Sequence, residues 1–181
     1  EVNFGEEKVA SIAATVSAFA AIKADGTVVT WGTGPYGADS HLVTEDLTNV
    51  ISISASSQAF AAIRADGSVV TWGESHTGGD SSSVSQELVN VESIVATDYA
   101  FAAVRGNGSV VTWGNADEGG DSSSVSGDLI DVQSIAASSA AFSALKADGS
   151  VVVWGSYIDG GFVSDKLNPK GTLEVSSSAI N

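Results

Sequence analysis

The sequence predicts an all-β fold, a β-propeller of tandem 41-residue units with three main antiparallel strands in each. Three observations predict it: a tryptophan that returns at a fixed step, a tight turn at a fixed distance before it, and strand-like runs that are apolar on both faces. Trp31, Trp72, Trp113 and Trp154 stand 41 residues apart, and Phe19, Phe60, Phe101 and Phe142 keep the same step. Residues 50–90 and 91–131 align without gaps at 25 identical positions of 41. A period of this length marks a propeller or a solenoid, in which one unit cannot bury its own apolar surface and must stack on its neighbours. The units run 9–49, 50–90, 91–131 and 132–172, with a degraded restart at 173–178, and residues 1–181 read as a single repeat domain.

Within the second unit, "VISISA" at 50–55 is short, β-branched and alternating, and "AFAAIR" at 59–64 follows after a small polar turn. "SVVTWG" at 68–73 comes after Ala-Asp-Gly, a hairpin signal because Gly tolerates positive φ and Asp bonds back to the backbone. The third unit writes Gly-Asn-Gly there, with the same turn chemistry. The remaining stretch, "ESHTGGDSSSVSQELVN", reads as a long connection with an apolar patch around Leu88 and an irregular fourth strand; no segment keeps a helical period. In the second strand Phe60 and Ala62 fall on one face and Ala61 and Ile63 on the other. A sheet apolar on both faces must be covered on both, and here the cover has to be another sheet. Radial stacking does this and protects the edges. A linear β-solenoid is the alternative, although its coils are usually shorter. The eight repeating aromatics, Phe19, Trp31, Phe60, Trp72, Phe101, Trp113, Phe142 and Trp154, form the expected structural core.

The pattern V-x-S-I-x-A-x-x-x-A-F-A-A-I-x-A-D-G-S-V-V-T-W-G at 50–73, with its three other copies, resembles the RCC1-like repeat superfamily. It is most similar to the short-bladed form of the bacterial β-lactamase inhibitor protein II type. The resemblance implies a propeller with three principal strands per blade, usually seven blades, so four units would make an arc. That arc closes as a small ring, combines with a second chain, or belongs to a larger protein. The strand-like ends at 2–5 and 173–178 point to pairing across a seam and to a homo-oligomer through edge strands.

Charge narrows the partners. Seven Lys or Arg against 22 Asp or Glu give a formal net charge of -15, and the basic residues are scattered singly. Such a surface repels phosphate backbones and anionic lipid, which argues against nucleic acid and membrane partners. No apolar run is long enough to span a bilayer. There is no Cys, and the two histidines, His41 and His76, occupy different places in the repeat. Nucleophile-elbow, P-loop and dinucleotide motifs are absent from the sequence, so catalysis is not expected and no cofactor is implied. The acidic, Ser-rich, Lys-poor surface fits an extracellular or cell-surface setting. The single basic residue of each unit, Lys23, Arg64, Arg105 or Lys146, is expected to pair with nearby acids.

Residues that escape the repeat carry the functional reading. One variable slot is the turn between strands one and two, at 15–17, 56–58, 97–99 and 138–140; the other follows Trp-Gly, at 33–36, 74–77, 115–118 and 156–159. Both fall at the same end of a three-strand sheet, opposite the constant hairpin. Tyr36, His76, Tyr99, Asp117, Glu118 and Tyr157 would there form a polar and aromatic rim suited to protein or glycan contacts. A passive spacer repeat of a larger bacterial secreted or surface protein is the alternative. Asp80 and Asp121 in the Gly-Gly-Asp-Ser loops suggest calcium only weakly, with one carboxylate per copy; capping of the turn is the favoured role.

Overall fold

The protein is described from a computed structural model over residues 8–161. The strand-like stretches at 2–5 and 173–178 lie outside the described residues. Within the described residues, twelve strands form four separate antiparallel sheets. Unit 1 holds β1 (Val9–Ala14), β2 (Ala18–Lys23) and β3 (Val28–Gly32). Unit 2 holds β4 (Val50–Ala55), β5 (Ala59–Arg64) and β6 (Val69–Gly73). Unit 3 holds β7 (Val91–Ala96), β8 (Ala100–Arg105) and β9 (Val110–Gly114). Unit 4 holds β10 (Val132–Ala137), β11 (Ala141–Lys146) and β12 (Val151–Gly155).

Local chemistry closes each sheet. In unit 2 the Asp66 carboxylate accepts from the Ser68 amide at 3.0 Å and from its hydroxyl at 2.6 Å, while Gly67 takes φ +78°. Asn107 makes the same two bonds to Ser109 in unit 3, so the amide side chain replaces the carboxylate without altering the turn. The first strand of every unit carries a bulge: Val50 faces Arg64, but Ser52 already faces Ile63. The same shift recurs in the other three units, and such bulges bend a strand and increase its twist.

The two apolar faces of the middle strand meet different neighbours. Phe60 and Ala62 share a core with Ala18, Ala20 and Ile22 of unit 1, whereas Ala59, Ala61 and Ile63 share one with Phe101 and Trp113 of unit 3. A third core joins units 3 and 4 around Ala102, Phe142 and Trp154. The sheets therefore stack face to face in chain order. Alanines at the seams let the backbones approach, and the aromatics fill the remaining width. Phe60 stacks on Trp72 with ring centroids 5.2 Å apart. Trp72 Nε1 then donates to the Gly37 carbonyl of unit 1 at 2.9 Å, and Trp113 and Trp154 repeat the bond to Gly78 and Gly119. Each of these three tryptophans thus satisfies its one polar group in the preceding unit, which ties the burial of the ring to the seam.

Three sequence expectations are corrected. Among the described residues the connection after Trp-Gly forms no fourth strand; in unit 2 it makes two short 3-10 turns, Ser75–Thr77 and Ser82–Val84, pinned by buried Leu88. Its hydroxyls tie back to the sheet, as in the 3.0 Å contact of Thr71 with Ser81, and this satisfies the turn without a strand ladder. Lys23 does pair with Asp25 at 3.6 Å, and the charges of Arg64 and Lys146 help hold the Asp66 and Asp148 carboxyls low, but Arg64 and Arg105 direct Nε to the carbonyls of Thr48 and Val89. Those carbonyls end the connections that run back to the hairpins, which places acceptors beside the two Nε groups. Finally, Phe19 is not a buried core residue: it is 43% exposed, where Phe60 and Phe101 are fully buried. Among the described residues unit 4 shares no hydrophobic core with unit 1, so nothing in the described chain covers that face.

Candidate functional site

The two variable slots meet at one end of every sheet, and a fixed set of hydrogen bonds joins them. The first residue of the strand turn is always a hydroxyl amino acid that donates to a carbonyl of the second slot. Thr15 reaches Tyr36 O at 3.0 Å, Ser56 reaches Thr77 O at 2.8 Å, Thr97 reaches Glu118 O at 3.3 Å and Ser138 reaches Asp159 O at 2.8 Å. The third residue of the turn supplies its carbonyl to the amide that follows Trp-Gly, as in Glu74 N to Gln58 O at 3.0 Å and Asn115 N to Tyr99 O at 3.0 Å. Backbone and hydroxyl groups thus hold the rim, and the side chains that differ hang from it.

The middle residue of the turn links the units to one another. The Val16 amide donates to Ser57 O at 2.9 Å, the Ser57 amide to Asp98 O at 2.9 Å, and the Asp98 amide to Ser139 O at 2.8 Å. This ladder runs across all four sheets with the repeat as its step. Thr15, Val16, Ser57, Thr97, Asp98 and Ser139 line a cleft of about 470 Å³ beside it, with Asp98 as its charged group.

Of the predicted rim residues, His76, Asp117 and Tyr99 are brought together by one that the sequence reading did not single out, Asn115. Its Nδ2 lies 2.9 Å from His76 Nε2 across the seam between units 2 and 3, its Oδ1 accepts from the Asp117 amide at 3.0 Å, and its own amide bonds Tyr99. With the Asn115 side-chain amide as donor, His76 Nε2 is the acceptor of this bond. The only available signal was the asparagine's place directly after Trp-Gly, where Glu74 caps the equivalent turn of unit 2 by accepting from the Thr77 amide. Tyr36 stands in unit 1 and Tyr157 in unit 4, so the structure spreads the three tyrosines along the rim instead of gathering them. Tyr157 is the most exposed of them at 72%. Glu118 turns inward: its Oε2 is buried and has no hydrogen bond among the described residues.

The two loop aspartates form Asx turns. Asp80 accepts from the Ser82 amide at 2.9 Å and Asp121 from the Ser123 amide at 2.8 Å, and these bonds hold both carboxyls below the usual carboxylate range. Among the described residues no three of His, Asp and Glu come close enough to hold a metal ion. No described helix is long and apolar enough to cross a membrane.

Comparison with solved structures gives a common outline. Human WBSCR16 superposes with a TM-score of 0.57 at 20% identity, over 96% of this chain and 52% of its own. Prp20p from Saccharomyces cerevisiae superposes at 0.60 with 16% identity, over 98% and 52%. The CRINKLY ectodomain of the Arabidopsis thaliana receptor kinase ACR4 superposes at 0.51 with 16% identity, over 84% and 51%. The fold is related to that of RCC1-type repeat proteins. The chain spans about half the length of these three solved structures. No family model and no curated protein matches the sequence.

Proposed function

We propose that this chain is a non-enzymatic binding module that takes a protein or glycan partner through the variable rim. The observation that carries the reading is the division of labour at that rim. Hydroxyl-to-carbonyl bonds recur in all four units, while the side chains of the second slot change, as at the aligned positions Pro35, His76, Asp117 and Ile158. A rigid frame with exchangeable exposed groups is what a recognition surface requires, because aromatic and charged residues then bind without first being ordered. The fold-related structures supply precedent: yeast RCC1 (Prp20) is found bound to Kap60, and Prp20p is described with binding to Gsp1p and histones. We read the four units as propeller blades of the short type found in bacterial β-lactamase inhibitor protein II, in an extracellular or cell-surface protein. A partner selected against the intact chain, from displayed protein libraries and glycan arrays, should lose binding when Tyr36, Tyr99 and Tyr157 are all replaced by Ala. Equal binding by the replaced chain, with unchanged circular dichroism, would remove the rim reading. It would leave the passive spacer, which the near identity of units 2 and 3 otherwise favours.

A further inference from the structure

We propose that the outer face of unit 1 is a docking site for the outer face of unit 4 of a second copy of this chain, so that two copies close head to tail into one ring. The assembly uses sheet faces, where the sequence alone suggested edge strands. Its geometry is the one the chain already uses three times internally, and each internal contact has an unmatched half at either end.

The first unmatched pair is a phenylalanine and a glycine. At the three internal seams a phenylalanine ring lies directly on a left-handed glycine of the preceding unit. A Cβ at Gly37, Gly78 or Gly119 would stand 2.6, 2.5 or 2.6 Å from Phe60, Phe101 or Phe142. Phe19 holds the same strand position in unit 1 and is half exposed. Gly160 holds the same place in unit 4 with φ +98°, and no described residue lies within 4 Å of its Cβ position. One end therefore presents the ring and the other presents the seat.

The second pair belongs to the backbone ladder. Each amide donates to the next unit, so among the described residues the series ends on the Ser139 N–H in unit 4 and on the Val16 carbonyl in unit 1. A donor and an acceptor in the same register face outward at opposite ends. The third sign is apolar: Leu145 on the outer face of unit 4 is 42% exposed, where Ile63 and Val104 in the same position are buried. Opposite ends that complement each other make a heterologous contact, which must close or propagate. Closure by two copies gives eight sheets around the ring, within the roughly four to eight blades that propellers hold.

Sedimentation velocity of the intact chain over a micromolar range should give a dimer, tighter at higher salt because each copy carries a net charge of -15. A monomer throughout overturns the proposal. Phe19→Asp should weaken the dimer by about 30-fold or more, as loss of a central anchor does, with unchanged circular dichroism; an unweakened dimer overturns it. Because the chain has no cysteine, the double variant Val16→Cys, Ser139→Cys gives an independent reading from two exposed positions outside the hydrophobic cores. Neighbouring ladder residues bring their backbones within disulfide reach, so mild oxidation should yield a covalent dimer with two bridges. A bridge within one chain would show that four units close alone, a ladder of higher species would show an open filament, and no bridge would show no seam; each overturns the closed pair.

Discussion

Phe101 and Phe19 are the same residue in the same strand position, and they differ only in what lies beyond their sheet. Each stacks on the tryptophan of its own unit with centroids 5.3 Å apart and rings within 15° of parallel. Phe101 is fully buried by the glycine-bearing connection of unit 2, whereas Phe19 has one side open. The aromatic pair is therefore built by the local sheet register, in which Phe19 faces Trp31 and Phe101 faces Trp113. Its stabilising burial comes from the neighbouring unit. Sheet geometry and sheet stability have separate origins in this molecule.

That contrast breaks most sharply at the aromatics. Phe101→Ala should cost about 3–5 kcal/mol, because the transfer and cavity contributions both apply in full. Phe19→Ala in dilute protein should cost only about 1–2 kcal/mol, since part of the ring is already in water. Urea unfolding of the two variants side by side measures the difference, and equal losses would mean that the face of unit 1 is covered. The glycines give the next largest contrast. Gly78→Ala combines left-handed backbone with a Cβ 2.5 Å from the Phe101 ring and should cost about 2–4 kcal/mol. Gly160→Ala meets only the backbone penalty, about 1 kcal/mol, and thermal melts of both would show it.

A smaller effect separates the rim frame from the residues it carries. Ser56 is buried and bonded to Thr77 O, so Ser56→Ala should cost about 1 kcal/mol, whereas His76→Ala on the exposed rim should leave the melting temperature nearly unchanged. Acidity should produce the smallest change. Asp66 and Asp148 are held below the usual carboxylate range mainly by the Ser68 and Ser150 hydroxyls and then by their amides. A depressed folded-state pKa adds stability above the unfolded value of about 3.9 and loses it as pH falls through the folded one. Stability should therefore hold from pH 7 to 5 and slope downward below about pH 4. Asp66→Asn with Asp148→Asn should flatten that slope, because Asn107 already closes the equivalent turn of unit 3 without a titrating group.

Much of this was legible in the residues. The strand runs at 50–55 and 59–64 coincide with β4 and β5, and the two apolar faces of β5 do serve two different neighbours. Alternation and Asp-Gly turns are short-range signals, so a single unit reveals them. The connection was misread because its order comes from side chain to backbone bonds, such as Asp80 to the Ser82 amide, which leave no periodicity. Asn115 was passed over for a related reason. Its significance lies in His76, 39 residues away, and the two meet only when units 2 and 3 stack.

The sequence by itself determined the repeat, the three strands of each unit, the hairpin chemistry and the end at which variation collects, because all of these follow from contacts within 41 residues. Only the tertiary structure decided which aromatics are buried, which rim residues meet, and that the described units leave their terminal faces open. Near-identical repeats carry near-identical local instructions, so position along the stack, and the neighbour it supplies, is what makes Phe19 differ from Phe101.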